Sequence, residues 1–117
     1  MITEIAFFVY PVANVPKARE FYEDVLGLKL ASDFGGEWIE YAIGGGTFAI
    51  TSMDMNHKPG LHGGLIALEV DDLDATVKRL KERGVVFVME ATATPVCRFA
   101  TVSDPDGNHL IIHQRNA

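Results

Sequence analysis

The feature that most constrains the fold of this chain is a pattern that occurs twice. In the first half, Phe7 in an apolar run lies eight residues before Val15 in a helical pattern. In the second half, Leu65 and Leu73 have the same separation and lie in the same two kinds of pattern. Self-similarity of this kind indicates that one supersecondary unit is duplicated. The sequence therefore predicts two copies of a βαβββ unit, which is an α+β fold.

Hydrophobic spacing and turn residues divide each copy into elements. In the first copy we expect strands over 4–10, 28–34, 37–43 and 47–53. In the second copy we expect strands over 65–70, 85–90, 97–103 and 108–114. The two helices begin after the N-cap residues Asn14 and Asp72 and end at Gly27 and Gly84. This organisation predicts a single domain over 1–117, with repeat one at about 1–54, a linker at about 55–63 and repeat two at about 64–117.

Composition limits the partners that the protein can have. The chain has 117 residues, of which 48% are hydrophobic, and a formal net charge of -6, which disfavours nonspecific binding to nucleic acid or to anionic membranes. No apolar run approaches the roughly 20 residues that cross a bilayer, and the N-terminus lacks the features of a signal peptide. The single cysteine, Cys97, fits a reducing compartment. We therefore expect a cytoplasmic protein that binds a small molecule, with no nucleic acid and no membrane partner.

Three segments carry more specific motifs: "VPKAREFYEDVLGLKL" at 15–30, "LIALEVDDLDATVKRLKERGV" at 65–85 and "ATVSDPDGNHLIIH" at 100–113. In the last segment, Pro105 suits the second position of a type I turn and Gly107 the fourth. Together these segments resemble the vicinal oxygen chelate superfamily, which contains glyoxalase I, bleomycin-resistance proteins, extradiol dioxygenases and fosfomycin-resistance enzymes. The resemblance implies that the mixed sheets of the two repeats form an open, cupped barrel with helices outside and a ligand cavity inside. It also implies a homodimer.

Metal binding is a central question for a chain of this kind. The superfamily usually takes metal ligands from four inward positions, and the resemblance assigns these positions to Phe7, Ala49, Leu65 and Ile111. Phenyl and alkyl groups cannot coordinate a transition metal, which needs about three or more N, O or S donors. His109 and His113 are four strand residues apart, roughly 13 Å, so one ion would be stretched between them without a third donor. We therefore predict no metal and no cofactor.

The predicted ligand-binding residues start from the four positions that the resemblance places inward. Alternation of side chains along the strands adds others to the same face, and Arg98 is added for its chemistry. They are Phe7, Trp38, Glu40, Ala49, Thr51, Leu65, Glu69, Arg98, His109, Ile111 and His113. The facing of Trp38 and Glu40 depends on the register of their hairpin, because a one-residue slip exchanges the two faces. We place them inward, so that Ile39, Tyr41 and Ile43 join Phe48 and Ile50 on the helix side.

A structural role is the alternative for each of these side chains. Trp38 would then be core packing, and Glu40 and Glu69 would be solvated or salt-bridged at the rim. Arg98 either binds a ligand carboxylate or pairs with an exposed acidic side chain. Cys97, next to Arg98, is either a reactive thiolate or inert packing.

The preferred function is a metal-free binding protein that holds an apolar or aromatic small molecule in the cupped cavity. The alternative is an enzyme: a lyase, isomerase or dioxygenase of the same superfamily with relocated metal ligands. A metal-free acid/base catalyst would use Glu69 or Glu40 with His109. A structural or regulatory dimer without a small ligand is a third hypothesis. The four apolar positions favour binding over catalysis.

Overall fold

The computed structural model describes residue 1 and residues 3–55, 57–60 and 65–116. The chain divides into two compact units, residues 1–59 and 60–117. Among the described residues, each unit contains one helical region and four strands, in the order strand, helix, strand, strand, strand. The predicted α+β class and the duplicated βαβββ unit are therefore confirmed. Part of the predicted linker at 55–63 lies outside the described residues.

The first unit holds one four-stranded sheet. Its elements are β1 (Phe8–Pro11), α1 (Val15–Arg19), a π-helical segment (Glu20–Val25), β2 (Lys29–Phe34), β3 (Trp38–Ile43) and β4 (Gly46–Thr51). The strands lie in the order β1-β4-β3-β2. The pair β1 and β4 is parallel, and the other two pairs are antiparallel. The first strand begins at residue 8 rather than at the predicted residue 4.

The helical region of the first unit changes its hydrogen-bond pattern midway. The Asn14 side chain caps α1 by accepting a hydrogen bond of 3.0 Å from Lys17 N, and Pro16 occupies the first turn, where no backbone donor is needed. At the end of the π-helical segment, Leu26 N donates to Phe21 O, five residues back, at 2.9 Å. A π-helical turn accommodates an extra residue within a helix. Apolar spacing alone predicts one continuous helix here and does not reveal this widening.

One face of the first sheet is buried, and the aromatic side chains of the helical region pack on it. Ile39 and Tyr41 of β3 and Phe48 and Ile50 of β4 are at most 2% exposed. Tyr22 of the π-helical segment is also buried, with its ring centroid 5.3 Å from that of Phe48. We call this side of a sheet the helix-covered face, and the other side the helix-free face.

The second unit repeats the order with a longer regular helix. Its elements are β5 (Ile66–Glu69), α2 (Leu73–Glu82), β6 (Val86–Ala93), β7 (Cys97–Ser103) and β8 (His109–Arg115). The strands lie in the order β5-β8-β7-β6, with β5 parallel to β8. Asp72 caps α2 by accepting a hydrogen bond of 3.0 Å from Ala75 N. Within the described residues, neither helical region is long and apolar enough to cross a bilayer.

The turn between β7 and β8 is held by the buried Asp104. One carboxylate oxygen accepts hydrogen bonds from Asp106 N at 2.9 Å and Asn108 N at 2.8 Å, and the other accepts from the Asn108 amide at 2.8 Å. Gly107 N donates to Asp104 O at 3.1 Å, and its φ of 83° favours glycine. These bonds fix the point at which β8 returns, and with it the register of β7 against β8.

Candidate functional site

The strand register decides which predicted residues share the helix-free face of the first unit. Trp38 lies opposite Thr51, and Glu40 lies opposite Ala49, which in turn lies beside Val9 of β1. Directly paired residues point to the same side of a sheet. Trp38 and Glu40 are therefore on the face opposite the buried core of the first unit, which is the facing that the apolar spacing predicted.

An aromatic patch forms the accessible part of this face. The Phe7 ring meets the Trp38 ring edge-on, with centroids 5.3 Å apart and planes at 87°. Phe34 of β2 pairs with Trp38 in the register and is 59% exposed. Trp38 Nε1 donates a hydrogen bond of 2.9 Å to Glu40 Oε2. The indole is thus held in place by Phe7 and Glu40, and its one polar group is satisfied. We call Phe7, Phe34 and Trp38 the aromatic patch.

The other two predicted residues of this unit have structural environments. Ala49 is 0% exposed. The buried Thr51 hydroxyl donates to Glu37 O at 2.8 Å and accepts from Met53 N at 3.0 Å. Because this hydroxyl already makes both bonds, it fixes the chain after β4 rather than offering a free donor.

The helix-free face of the second unit carries most of the other predicted residues. Ile111 of β8 lies between Ala67 of β5 and Thr101 of β7 in the register. His113 lies between Glu69 and Phe99. Alternation along β8 adds His109, and Leu65, just before β5, is 53% exposed. Ile111, Ala67 and Leu65 make part of this face apolar, and a polar cluster lies toward the end of β8.

That polar cluster is built around Glu69. Glu69 Oε1 lies 2.6 Å from His113 Nδ1, and Glu69 Oε2 accepts a hydrogen bond of 2.8 Å from Arg115 N. The hydrogen bond from the Arg115 N–H and, as the second cause, that from His113 lower the pKa of Glu69. The group is therefore a carboxylate at neutral pH. The sequence predicts Glu69 or Glu40 as the partner of His109, whereas Glu69 contacts His113 in the structure. His109 lies four residues away along the same strand, opposite Ser103.

Arg98 is not brought together with this group. It lies opposite Gln114 in the register, on the side of the buried Ala100 and Ile112. Its guanidinium makes two contacts with the Asp74 carboxylate of α2, at 2.7 and 3.2 Å. These bonds raise the pKa of Arg98 and lower that of Asp74. Arg98 therefore joins α2 to β7 on the helix-covered face, and we leave it out of the candidate site.

Cys97 has a packing role. It is buried, and its Sγ lies 3.1 Å from Thr94 Oγ1. The same hydroxyl accepts hydrogen bonds from Val96 N and Cys97 N at 3.2 and 3.1 Å. Thr94 thereby closes the turn between β6 and β7 around the thiol.

Among the members of the two helix-free faces that the sequence does not predict are Phe34, Phe99 and Thr101. Alternation within 97–103 contains the signal for the last two, since Ala100 and Val102 occupy the buried side. Phe34 was harder to place, because β2 has a register shift between Leu30 and Ser32. A bulge of this kind reverses the facing of every residue beyond it.

The donor set does not fit the metal that the superfamily resemblance implies. Phe7, Ala49, Leu65 and Ile111 offer phenyl and alkyl groups where N, O or S donors are required. Elsewhere in the part of the chain that the structure describes, no three His, Cys, Asp or Glu side chains are grouped so that they could hold an ion.

A separate pocket of about 330 Å³ lies beside the helical region of the first unit. Its lining residues are Val15, Pro16, Arg19, Glu20, Glu23, Asp24 and Gly36. Glu23 Oε2 accepts hydrogen bonds from Arg19 Nε at 2.5 Å and from the Tyr41 hydroxyl at 2.9 Å, and Arg19 reaches Asp33 at 3.3 Å. Arg19 therefore links the helical region to β2, and Glu23 links it to β3. None of the predicted site residues lines the pocket.

Comparison with known proteins agrees with this fold. The model of the Glyoxalase/Bleomycin resistance protein/Dioxygenase superfamily matches residues 4–112, and the chain belongs to this superfamily. Among solved structures, TnmS3, an antibiotic binding protein from Streptomyces sp. CB03234, is 34% identical with a TM-score of 0.85, over 98% of both chains. A glyoxalase/bleomycin resistance protein from the same organism is 35% identical with a TM-score of 0.77, over 97% of this chain and 100% of the other. A lactoylglutathione lyase of Neisseria meningitidis is 31% identical, over 91% of this chain and 86% of the relative.

Proposed function

We propose that this protein binds an apolar or aromatic small molecule and does so without a metal. The observation that carries the proposal is the aromatic patch, in which Phe7 and Glu40 hold the Trp38 ring on the helix-free face. The similar Streptomyces protein is described as antibiotic binding, which supports an antibiotic or a molecule of similar chemistry as the ligand. Membership of the superfamily further supports a homodimer, and the single cysteine supports a cytoplasmic location.

The physical basis is the removal of apolar surface from water. Burial of apolar area contributes about 25 cal/mol per Å², and favourable ring contacts add about 0.5–1.5 kcal/mol. An indole that is already held in one orientation loses little further freedom when a ligand binds, which lowers the entropic cost of association. The proposed ligand-contacting residues on the helix-free face of the first unit are Phe7, Trp38 and Glu40. Those on the helix-free face of the second unit are Leu65, Glu69, His109, Ile111 and His113.

Trp38 is the single tryptophan of the chain, so its fluorescence reports on the proposed site. We expect members of a panel of aromatic compounds with one to four rings, extended by bleomycin, to raise the melting temperature and to change Trp38 emission. Phe7→Ala should weaken binding, because it removes the edge contact with Trp38. Phe8→Ala is the matched control: Phe8 is similarly exposed but pairs with the buried Phe48 and so lies on the other face. Absence of any effect across the panel would contradict the proposal.

The second candidate function is catalysis by a lyase or isomerase. It is favoured by the contact of Glu69 with His113, because a carboxylate that orients an imidazole is a common arrangement for general acid/base work. The similarity to lactoylglutathione lyase supplies a specific assay, which follows the formation or cleavage of lactoylglutathione. Activity that is lost in His113→Phe and Glu69→Gln but retained in Asp74→Asn would favour the enzyme. Unchanged activity in Glu69→Gln would remove the proposed dyad from the reaction.

A further inference from the structure

The contact between Glu69 and His113 leaves one ring nitrogen for another partner. A carboxylate only accepts hydrogen bonds, so the short contact with Glu69 Oε1 requires the proton on His113 Nδ1. The backbone N–H of Arg115 holds the second carboxylate oxygen and prevents the acid from turning away. When the imidazole is neutral, this contact fixes it in one tautomer with the lone pair on Nε2, and a carboxylate partner makes that nitrogen a better acceptor.

The surroundings of this imidazole are mainly apolar. Phe99 lies directly opposite His113 on β7, and Ile111 and Ala67 precede the two members of the dyad on the same face. The His113 side chain is 27% exposed, so it remains accessible. A single oriented acceptor among apolar side chains is a common feature of small-molecule sites, where a few polar groups determine specificity.

The charge of the dyad limits what it can recognise. With a neutral imidazole, the negative charge of Glu69 is balanced by the nearby positive charge of Arg115, so the group carries no net charge and offers no net attraction to an anionic ligand. An ammonium group would have to be desolvated against apolar neighbours, which is costly. A hydroxyl attached to an aromatic ring or an enol combines an apolar body with a strong hydrogen-bond donor, and it suits both parts of this face.

The geometry points to a ligand class: His113 Nε2 accepts a hydrogen bond from the phenolic or enolic hydroxyl of an otherwise apolar aromatic ligand. This inference rests on the proposed function and specifies its ligand. Glu69 is a positioning residue in this arrangement, since it acts on the ligand through the imidazole.

Two naphthalenes test the inference with the full chain. 2-Naphthol and 2-methoxynaphthalene differ by one methyl group, which removes the donor and leaves the aromatic body. We expect calorimetry to give an affinity about tenfold higher for 2-naphthol, the worth of one good hydrogen bond. His113→Phe should abolish this preference and leave 2-methoxynaphthalene binding unchanged. Glu69→Gln should reduce the preference. Asp74→Asn, which alters an ion-paired carboxylate on the other face of the same unit, should retain it.

A spectroscopic readout separates a direct hydrogen bond from a structural effect. In protein with ¹⁵N-labelled histidine, 2-naphthol should shift the Nε2 resonance of His113, and 2-methoxynaphthalene should not. Equal affinity for the two compounds would overturn the inference and leave the proposed function standing. Tighter His113-dependent binding of 2-naphthoate than of 2-naphthol would also overturn it, in favour of anion recognition. Absence of binding by both naphthalenes overturns it too, and the proposed function fails with it only if the whole aromatic panel is without effect.

Discussion

Trp38 and Glu40 are joined by a hydrogen bond of 2.9 Å from the indole N–H to the carboxylate, across one intervening residue of β3. Glu40→Ala should release the indole, because the edge contact with Phe7 alone does not fix its orientation. We expect lower fluorescence anisotropy, emission shifted to longer wavelength and a loss of about 0.5–1.5 kcal/mol of unfolding free energy. The measurements are steady-state fluorescence and urea unfolding.

The neighbouring acid provides the control for this variant. Glu37 is exposed and lies on the other side of Trp38 in the sequence, so Glu37→Ala should leave both the emission and the unfolding midpoint unchanged. Identical anisotropy in the wild type and in Glu40→Ala would show that the hydrogen bond does not hold the ring.

Arg98 provides a test of which residues belong to the binding face. Because it pairs with Asp74 of α2 on the helix-covered face, Arg98→Ala should leave ligand-induced stabilisation unchanged. The variant should lower the melting temperature slightly, and less so at high salt, since the ion pair is exposed and screened. Thermal shift assays with and without ligand, at low and high salt, measure both effects. A selective loss of ligand response would return Arg98 to the site.

The elements of the fold were largely predictable because hydrophobic period and turn residues repeat along the chain. The strand over 97–103 has the predicted bounds, and β3 differs from its prediction by one residue at its start. The errors arise where long-range pairing decides the outcome. β1 begins at Phe8, where pairing with β4 starts, and the first helix widens into a π-helical segment that a 3.6-residue period cannot reveal.

The candidate site was less predictable than the fold. Alternation along one strand states which residues share a face, but it does not state which residues of neighbouring strands lie opposite them. For this reason the sequence pairs Glu69 or Glu40 with His109, whereas the parallel register of β5 and β8 brings Glu69 to His113. Similarly, its chemistry alone favours Arg98 as a ligand-binding residue, although the burial of Ala100 and Val102 places its side of β7 against α2.

Two adjacent glycines between β3 and β4 allow the cost of backbone strain to be measured separately from the cost of side-chain crowding. Gly44 has a φ of 55°, whereas Gly45 does not adopt a positive φ, and an added Cβ would meet nothing within 4 Å at either position. Gly44→Ala should therefore cost about 1–2 kcal/mol of unfolding free energy through backbone strain alone. Gly45→Ala should change it by less than about 0.5 kcal/mol. Urea unfolding of both variants checks this, and equal midpoints would show that the turn adapts.

Glu23 should make the stability of the protein depend on acid pH. The hydrogen bond from Arg19, followed by that from Tyr41, lowers the pKa of Glu23 below its ordinary value of 4.5. As the pH falls, the unfolded chain therefore takes up this proton before the folded protein does, so the stabilisation is present above 4.5 and is lost as the pH falls through the lower folded-state pKa. Glu23→Gln has no such group, so its deficit against the wild type should be constant near neutrality and shrink below 4.5. Tyr41→Phe, which removes one donor but keeps Arg19, should retain part of this dependence. Urea unfolding of the three proteins at a series of pH values measures the effect, and a deficit for Glu23→Gln that stays constant into the acid range would contradict it.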